Sequence, residues 1–297
     1  MELSDILAQS KTVLSPEQLD HYYTQGYLLF PELIDQSLLD DLRAAMCDIV
    51  EKSRMFTKSS RALDLEKGHT ADNPRLRRAA YIDDEYDVFW ALCADSVITD
   101  IAADLVGYDL RFRELMLNFK WAAGGSEVRW HQDFVFYPHT HTGTMQFLLF
   151  LEDVTQDQGP LQVIPGSHKG PLYEHYDEQR NWTGAIKKSE LLQAGVKDAV
   201  SLTGPAGSVS VHHSCTIHGS EPNRSPRSRP ALVITYAAAD AMPYTAAAYP
   251  GSRYGTIVRG EEPTHIHHEH LSVPMPPDWS AGYTSIYEHQ ERESEGK

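Results

Sequence analysis

The run Thr144–Leu151 (Thr-Met-Gln-Phe-Leu-Leu-Phe-Leu) constrains the fold more than any other stretch. Aromatic and aliphatic residues without a breaker read as a strand. Gln146 is the one polar side chain in its interior. Its amide needs a hydrogen-bond partner when buried, so it is either a structural bridge or a cavity contact. Further strands are expected over 110–120, 161–164, 208–212 and 231–238. Asp157-Gln158-Gly159-Pro160, Pro165-Gly166-Ser167 and Gly204-Pro205-Ala206-Gly207 supply turns between them. In the first of these strands Asn118 and Lys120 share a face with Leu110, Phe112 and Met116, which points polar groups into a cavity.

The first third reads differently. Ser15 caps a helix opened by Pro16, Gln18 completes the capping box, Leu14 and Leu19 form a staple, and Gly26 closes it. Tyr27–Phe30 is a short strand. A second helix runs from about 35 to 53, with Leu39, Leu42 and Met46 at helical spacing. A helical pattern follows from 84 to 106 and stops at Gly107. Residues 54–80 are polar, and Arg75, Arg77 and Arg78 read better as a solvated face than as an anion site. Residues 169–200 form a long polar excursion, a candidate lid that carries Trp182. Residues 1–13 and 291–297 read as loosely held ends.

Helices followed by short strands predict a mainly β fold with flanking α-helices, a double-stranded β-helix of jelly-roll, cupin-like form. The expected organisation is one domain over 1–297. Its helical part covers about 15–106, its jelly-roll core about 108–240, and its turn-rich end 241–297. The 42 acidic against 26 basic residues give a net charge of −16, which repels phosphate backbones and excludes nucleic acid as a partner. Three scattered cysteines suit a reducing compartment. With no leader-like or membrane-spanning segment, the expected location is cytoplasmic, without a membrane partner. Nothing in the chain fixes an oligomeric state.

Arg129-Trp130-His131-Gln132-Asp133-Phe134 carries the chemistry. His131 and Asp133, two apart on a strand, leave the same face. Imidazole nitrogen with carboxylate oxygen suits Fe(II), Mn(II) or Zn(II), one ligand short of a 2-His-1-carboxylate triad. His212, His213 and His218 are the contenders for the third. The cluster His265, His267, His268 and His270 reads as adventitious. His139 and His141 suit a loop or entrance, and His168 suits a turn.

Four stretches together resemble the phytanoyl-CoA dioxygenase family of Fe(II), 2-oxoglutarate-dependent oxygenases. They are Trp130–Asp133, Gly159–His168, His218–Ser225 and Arg229-Pro230, preceded by a similar opening from Leu14 to Tyr27. The resemblance implies His131, Asp133 and His218 as iron ligands. It implies Arg229 on the distal carboxylate of 2-oxoglutarate, aided by Ser220, with Asn118 and Gln146 as cavity residues near the co-substrate. It also implies hydroxylation of a small molecule by dioxygen, with 2-oxoglutarate converted to succinate. Trp130, Phe134, Phe136, Tyr137 and Trp182 are the candidate substrate contacts, although Trp130 has an alternative place in the core. They fit a partly apolar amino-acid derivative or secondary metabolite. The rival readings are a cupin-type metal-dependent isomerase or hydrolase and a non-catalytic ligand-binding jelly roll.

Overall fold

The computed structural model describes residues 13–122, 124–281, 286–287 and 289–290. The ends expected to be loose lie outside these residues, apart from Val13. Helix α1 (Pro16–Gln25) forms for the local reasons read in the sequence. Ser15 Oγ accepts from the Gln18 amide at 3.3 Å, and Gln18 Oε1 accepts from the Ser15 amide at 2.9 Å. Gly26 ends it at φ +82°, where a β-carbon would strike His168 and Thr216 at 2.5 and 2.7 Å. Strand β1 (Tyr27–Phe30) follows, then α2 (Gln36–Ser53), capped by Asp35. The helical pattern expected over 84–106 resolves into three helices: α3 (Ile82–Glu85), α4 (Asp87–Ala94) and α5 (Val97–Val106). Ser96 makes the last break by accepting the Ile98 amide at 3.2 Å.

The expected polar stretch 54–80 instead contains strands β2 (Leu63–Leu65) and β3 (Leu76–Ala80). The remaining strands are β4 (Leu110–Lys120), β5 (Val128–His131), β6 (Thr144–Phe150), β7 (Leu161–Val163), β8 (Val200–Leu202), β9 (Val209–His213), β10 (His218–Ser220), β11 (Arg229–Ala238) and β12 (Ile257–Arg259). They build two antiparallel sheets. The larger has eight strands, ordered β1-β9-β6-β11-β4-β3-β2, with β12 also on β4. The smaller has four, ordered β5-β10-β7-β8.

This corrects the expected double-stranded β-helix, because neither sheet closes on itself into a barrel or jelly roll. The physical reason lies in the first third of the chain. Its three strands extend the large sheet at both ends, β1 beside β9 and β3 with β2 beyond β4. The result is a wide open sheet facing a narrow one, with helices behind it.

The large sheet is apolar on both faces. Met145, Phe147 and Leu149 of β6 pack with Leu42, Phe89, Ile101 and Leu105 of the helices. Leu148 and Phe150 turn the other way, towards Leu161, Val163 and Leu202 of the small sheet. Strict alternation fails on β4 where it pairs with β11. Thr235 of β11 faces Glu114, but Tyr236 faces Phe112, so Arg113 is an extra residue in a bulge. Phe112 therefore joins the helical core, while Glu114, Met116 and Asn118 face the small sheet. Plain alternation puts all the even-numbered residues of this strand on one face, and the bulge breaks it.

Candidate active site

Between the sheets lies a cavity of about 150 Å³. At one end β5 and β10 run antiparallel with His131 directly opposite His218. Cross-strand partners share a face, and here the ring centroids are 4.1 Å apart. Strand β5 ends at His131. Asp133 then opens a single 3₁₀ turn, so its carboxylate reaches the pair by a change of backbone rather than by continued alternation. His131 Nε2 lies 3.5 Å from Asp133 Oδ1, and His218 Nε2 lies 3.5 Å from Oδ2. One ligand atom from each of the three residues lies within 4.8 Å of the others, the one such group among the described residues.

Both imidazoles are oriented from behind. His131 Nδ1 is 2.8 Å from the Arg129 carbonyl and His218 Nδ1 is 2.9 Å from that of Thr216, so each places its proton there and turns Nε2 inward. Burial disfavours the charged form of Asp133. His218, His131 and His212 outweigh it and hold the carboxyl well below its ordinary range. Burial, with the adjoining histidines, likewise pushes His218 well below the usual imidazole value. A neutral His218 nitrogen beside an ionised Asp133 carboxylate is the protonation state a divalent metal requires.

Arg229 opens β11 at the other end of the cavity, buried opposite Lys120. Lys120 is itself fully buried and donates to the backbone carbonyls of Ser220 and Glu221, which fixes the end of β10. Ser220, Asn118 and Gln146 line the same cavity. Gln146 Nε2 donates to the Tyr137 hydroxyl at 3.3 Å.

The aromatic candidates separate. Phe136 and Tyr137 line the cavity. Trp182 sits behind Phe136, edge-on at 5.0 Å. Phe134 is fully buried away from the cavity, and Trp130 packs into a side cluster with Ile164 and Ile217. Neither Phe134 nor Trp130 is therefore a wall residue. The arginine reading also needs correction. Arg78 is buried on β3, lies 4.7 Å from the ring of Tyr249 and lines the cavity, and Arg77 is buried beside it against Tyr287 at 5.0 Å. Only Arg75 keeps a partly solvated place, paired with Glu66 at 2.7 Å.

Several site residues escaped the sequence reading. Glu114 of β4, Thr235 of β11 and, from the turn-rich C-terminal segment, Tyr249, Ile286 and Tyr287 complete the cavity wall. Burial raises the Glu114 carboxyl to about 7. The 169–200 excursion packs back through His175, whose ring lies 5.6 Å from that of Phe136. Gln132 holds this excursion down. Its side chain donates to the carbonyls of Pro171 and Cys215 at 3.2 and 2.9 Å and accepts the Tyr173 amide at 2.9 Å. His212, a contender for the third ligand, is instead 3.2 Å from Asp133 Oδ2 and outside the group of three.

The profile of the phytanoyl-CoA dioxygenase (PhyH) family matches residues 22–231. The chain belongs to this family. It is 30% identical over 276 residues to a protein of Stutzerimonas stutzeri described as "Probable alpha-ketoglutarate-dependent hypophosphite dioxygenase", covering 92% of this chain and 95% of that one. It is 28% identical to the L-proline trans-4-hydroxylase of Streptomyces griseoviridis, over 72% of this chain and 83% of that one. Among solved structures, EctD from S. alaskensis with 2-oxoglutarate and 5-hydroxyectoine shares the fold at a TM-score of 0.68 and 21% identity, covering 86% of this chain and 91% of that one. The protein is thus a non-haem Fe(II), 2-oxoglutarate-dependent oxygenase of small-molecule type, with iron and 2-oxoglutarate as its cofactors. Family membership removes the cupin-type isomerase and the non-catalytic jelly roll. Among the described residues no helix is long and apolar enough to cross a membrane.

Proposed function

We propose that the chain works as one domain, hydroxylating a small polar substrate, and that His131, Asp133 and His218 hold its iron. The observation that carries this reading is their grouping at one end of a cavity whose other end holds the buried Arg229. Arg229 pairs with the distal carboxylate of 2-oxoglutarate, since a planar guanidinium offers two parallel donors. Ser220 adds a hydroxyl to the same carboxylate, and Asn118 and Gln146 flank the chelating end.

When bound, iron with 2-oxoglutarate would couple decarboxylation of the co-substrate to oxidation of the substrate at a C–H or, for hypophosphite, a P–H bond. The chain's own contribution is placement and exclusion. The carbonyls of Arg129 and Thr216 hold both imidazoles with Nε2 aimed inward. Phe136, Tyr137, Leu148 and Leu161 shield the reacting end from bulk water. Gln132 anchors the excursion that carries His175 over it. The small volume favours a compact substrate over a long acyl thioester. That suits hypophosphite, L-proline and ectoine, named for some of its relatives, rather than the phytanoyl-CoA named for others.

The test is dioxygen-dependent conversion of 2-oxoglutarate to succinate by the Fe(II)-loaded protein. Turnover that requires Fe(II) and falls in Arg229→Ala, with recovery at high 2-oxoglutarate, is expected. Turnover indifferent to Arg229 would remove the assignment.

A further inference from the structure

The floor of the cavity carries a row of polar groups that extends from Gln146, beside the chelating end of the co-substrate, to residues that neither iron nor 2-oxoglutarate accounts for. His212 of β9 is in register with Gln146 of β6, Gln146 with Thr235 of β11, and Thr235 with Glu114 of β4. All four line the cavity, so they form one row across four adjacent strands, stepped by about 4.8 Å per strand. Three of them present a buried atom without a hydrogen-bond partner among the described residues: His212 Nδ1, Gln146 Oε1 and Thr235 Oγ1. Buried polar atoms are nearly always satisfied in a working protein, so this row is completed by something that enters the cavity.

The chemistry of the row is one-sided. His212 turns Nε2 to Asp133 Oδ2 at 3.2 Å. Gln146 uses its amide nitrogen on Tyr137, which leaves its carbonyl oxygen. Thr235 can give or take one bond. Glu114 supplies a carboxyl group at the far end. A row of acceptors ending in a carboxyl group asks for a ligand rich in N–H donors.

We propose, building on the oxygenase reading above, that this row is the substrate subsite and that it receives a small molecule bearing a protonated amine, with the ammonium towards Glu114 and Thr235. Arg78 lines the same cavity and suits a carboxylate on the same molecule, which makes small amino acids the natural probes. Burial raises the Glu114 carboxyl to about 7, and an ammonium placed beside it would draw it back to the ionised form.

The experiment uses the full chain loaded with Fe(II) and 2-oxoglutarate, with loading established first from the anaerobic absorbance of the chelate. If loading fails, the oxygenase reading itself is at fault. With loading in hand, common amino acids are each compared with the analogue lacking the amine, such as L-proline against cyclopentanecarboxylate, and with hypophosphite. Succinate formation is the readout. At least one amino acid is expected to stimulate turnover tenfold or more over its amine-free analogue and over hypophosphite. Equal stimulation by an amine-free compound, or none by any amine, overturns the proposal. In the responding pair, Thr235→Val and Glu114→Gln should raise KM for the amine at least tenfold more than KM for 2-oxoglutarate. Equal shifts in the two constants would mean the row is structural and would also overturn it.

Discussion

The two sheets that face each other across the cavity are built to different rules. The small sheet is four strands of three or four residues, and it places His131 against His218 by register alone. The large sheet is wide and continuous, with Arg229, Asn118, Gln146 and Thr235 spread over its inner face. On the small sheet a single cross-strand pair and one turn set the chemistry. On the large sheet position depends on alternation across several strands and on the bulge at Arg113. Function concentrated in a few residues should break sharply, and function spread over a row should fade.

The largest break is expected on the small sheet. His218→Ala removes a buried nitrogen opposite His131 and should weaken Fe(II) binding by more than about 100-fold, beyond the cost of losing an outer partner. Equilibrium dialysis measures this directly. Next comes the rim of the large sheet. Arg229→Ala should raise KM for 2-oxoglutarate by roughly 100-fold, as for truncation of a buried charge pair. Arg229→Lys should recover only part of that, because an ammonium lacks the fork.

A smaller effect tests the connection between site and excursion. Gln132→Leu leaves two carbonyls and one amide without their partner. It should cost about 2–3 kcal/mol in denaturant melts and loosen residues 169–200 in hydrogen exchange. The smallest effect belongs to the row. The Glu114 carboxyl is raised from 4.5 to about 7 by burial, so the folded state holds its proton more tightly than the unfolded chain. That stability is complete below pH 4.5 and is lost as pH rises through 7. The window allows up to about 3 kcal/mol, and access of solvent to the cavity wall reduces this to about 1–2 kcal/mol. Metal-free Glu114→Gln should lack this slope when melts are compared between pH 4.5 and 7.5.

The same contrast explains what was legible in the sequence. Elements fixed by neighbours along the chain could be read: the Ser15 cap, the Gly26 stop, the apolar face of α2 and the run from Thr144. The order of motifs also pointed to residues that the fold brings together, because His131, Asp133, His218 and Arg229 carry distinctive chemistry at characteristic separations. What depends on register was hidden. A one-residue bulge at Arg113 moves Leu110 and Phe112 from the cavity face, where plain alternation puts them, to the helical core, and nothing local announces it. Thr235 and Arg78 become wall residues only through pairing with distant strands. Closure into a jelly roll was expected because strands 1–3 were not all visible: Leu63–Leu65 and Leu76–Ala80 lie in polar, arginine-rich sequence. Tyr249 and Tyr287 come from a segment whose turns carry no periodicity.

In the function proposed above, one short sheet and one turn hold the iron, and the co-substrate spans to Arg229. Anaerobic titration of the protein with Fe(II) and then 2-oxoglutarate tests it most directly, run beside His218→Ala and Arg229→Ala. The account predicts a visible charge-transfer band that saturates at one chelate per chain, is lost in His218→Ala, and needs far more 2-oxoglutarate in Arg229→Ala. A wild-type protein that binds iron fully without the band, or a His218→Ala variant that keeps it, would contradict the account.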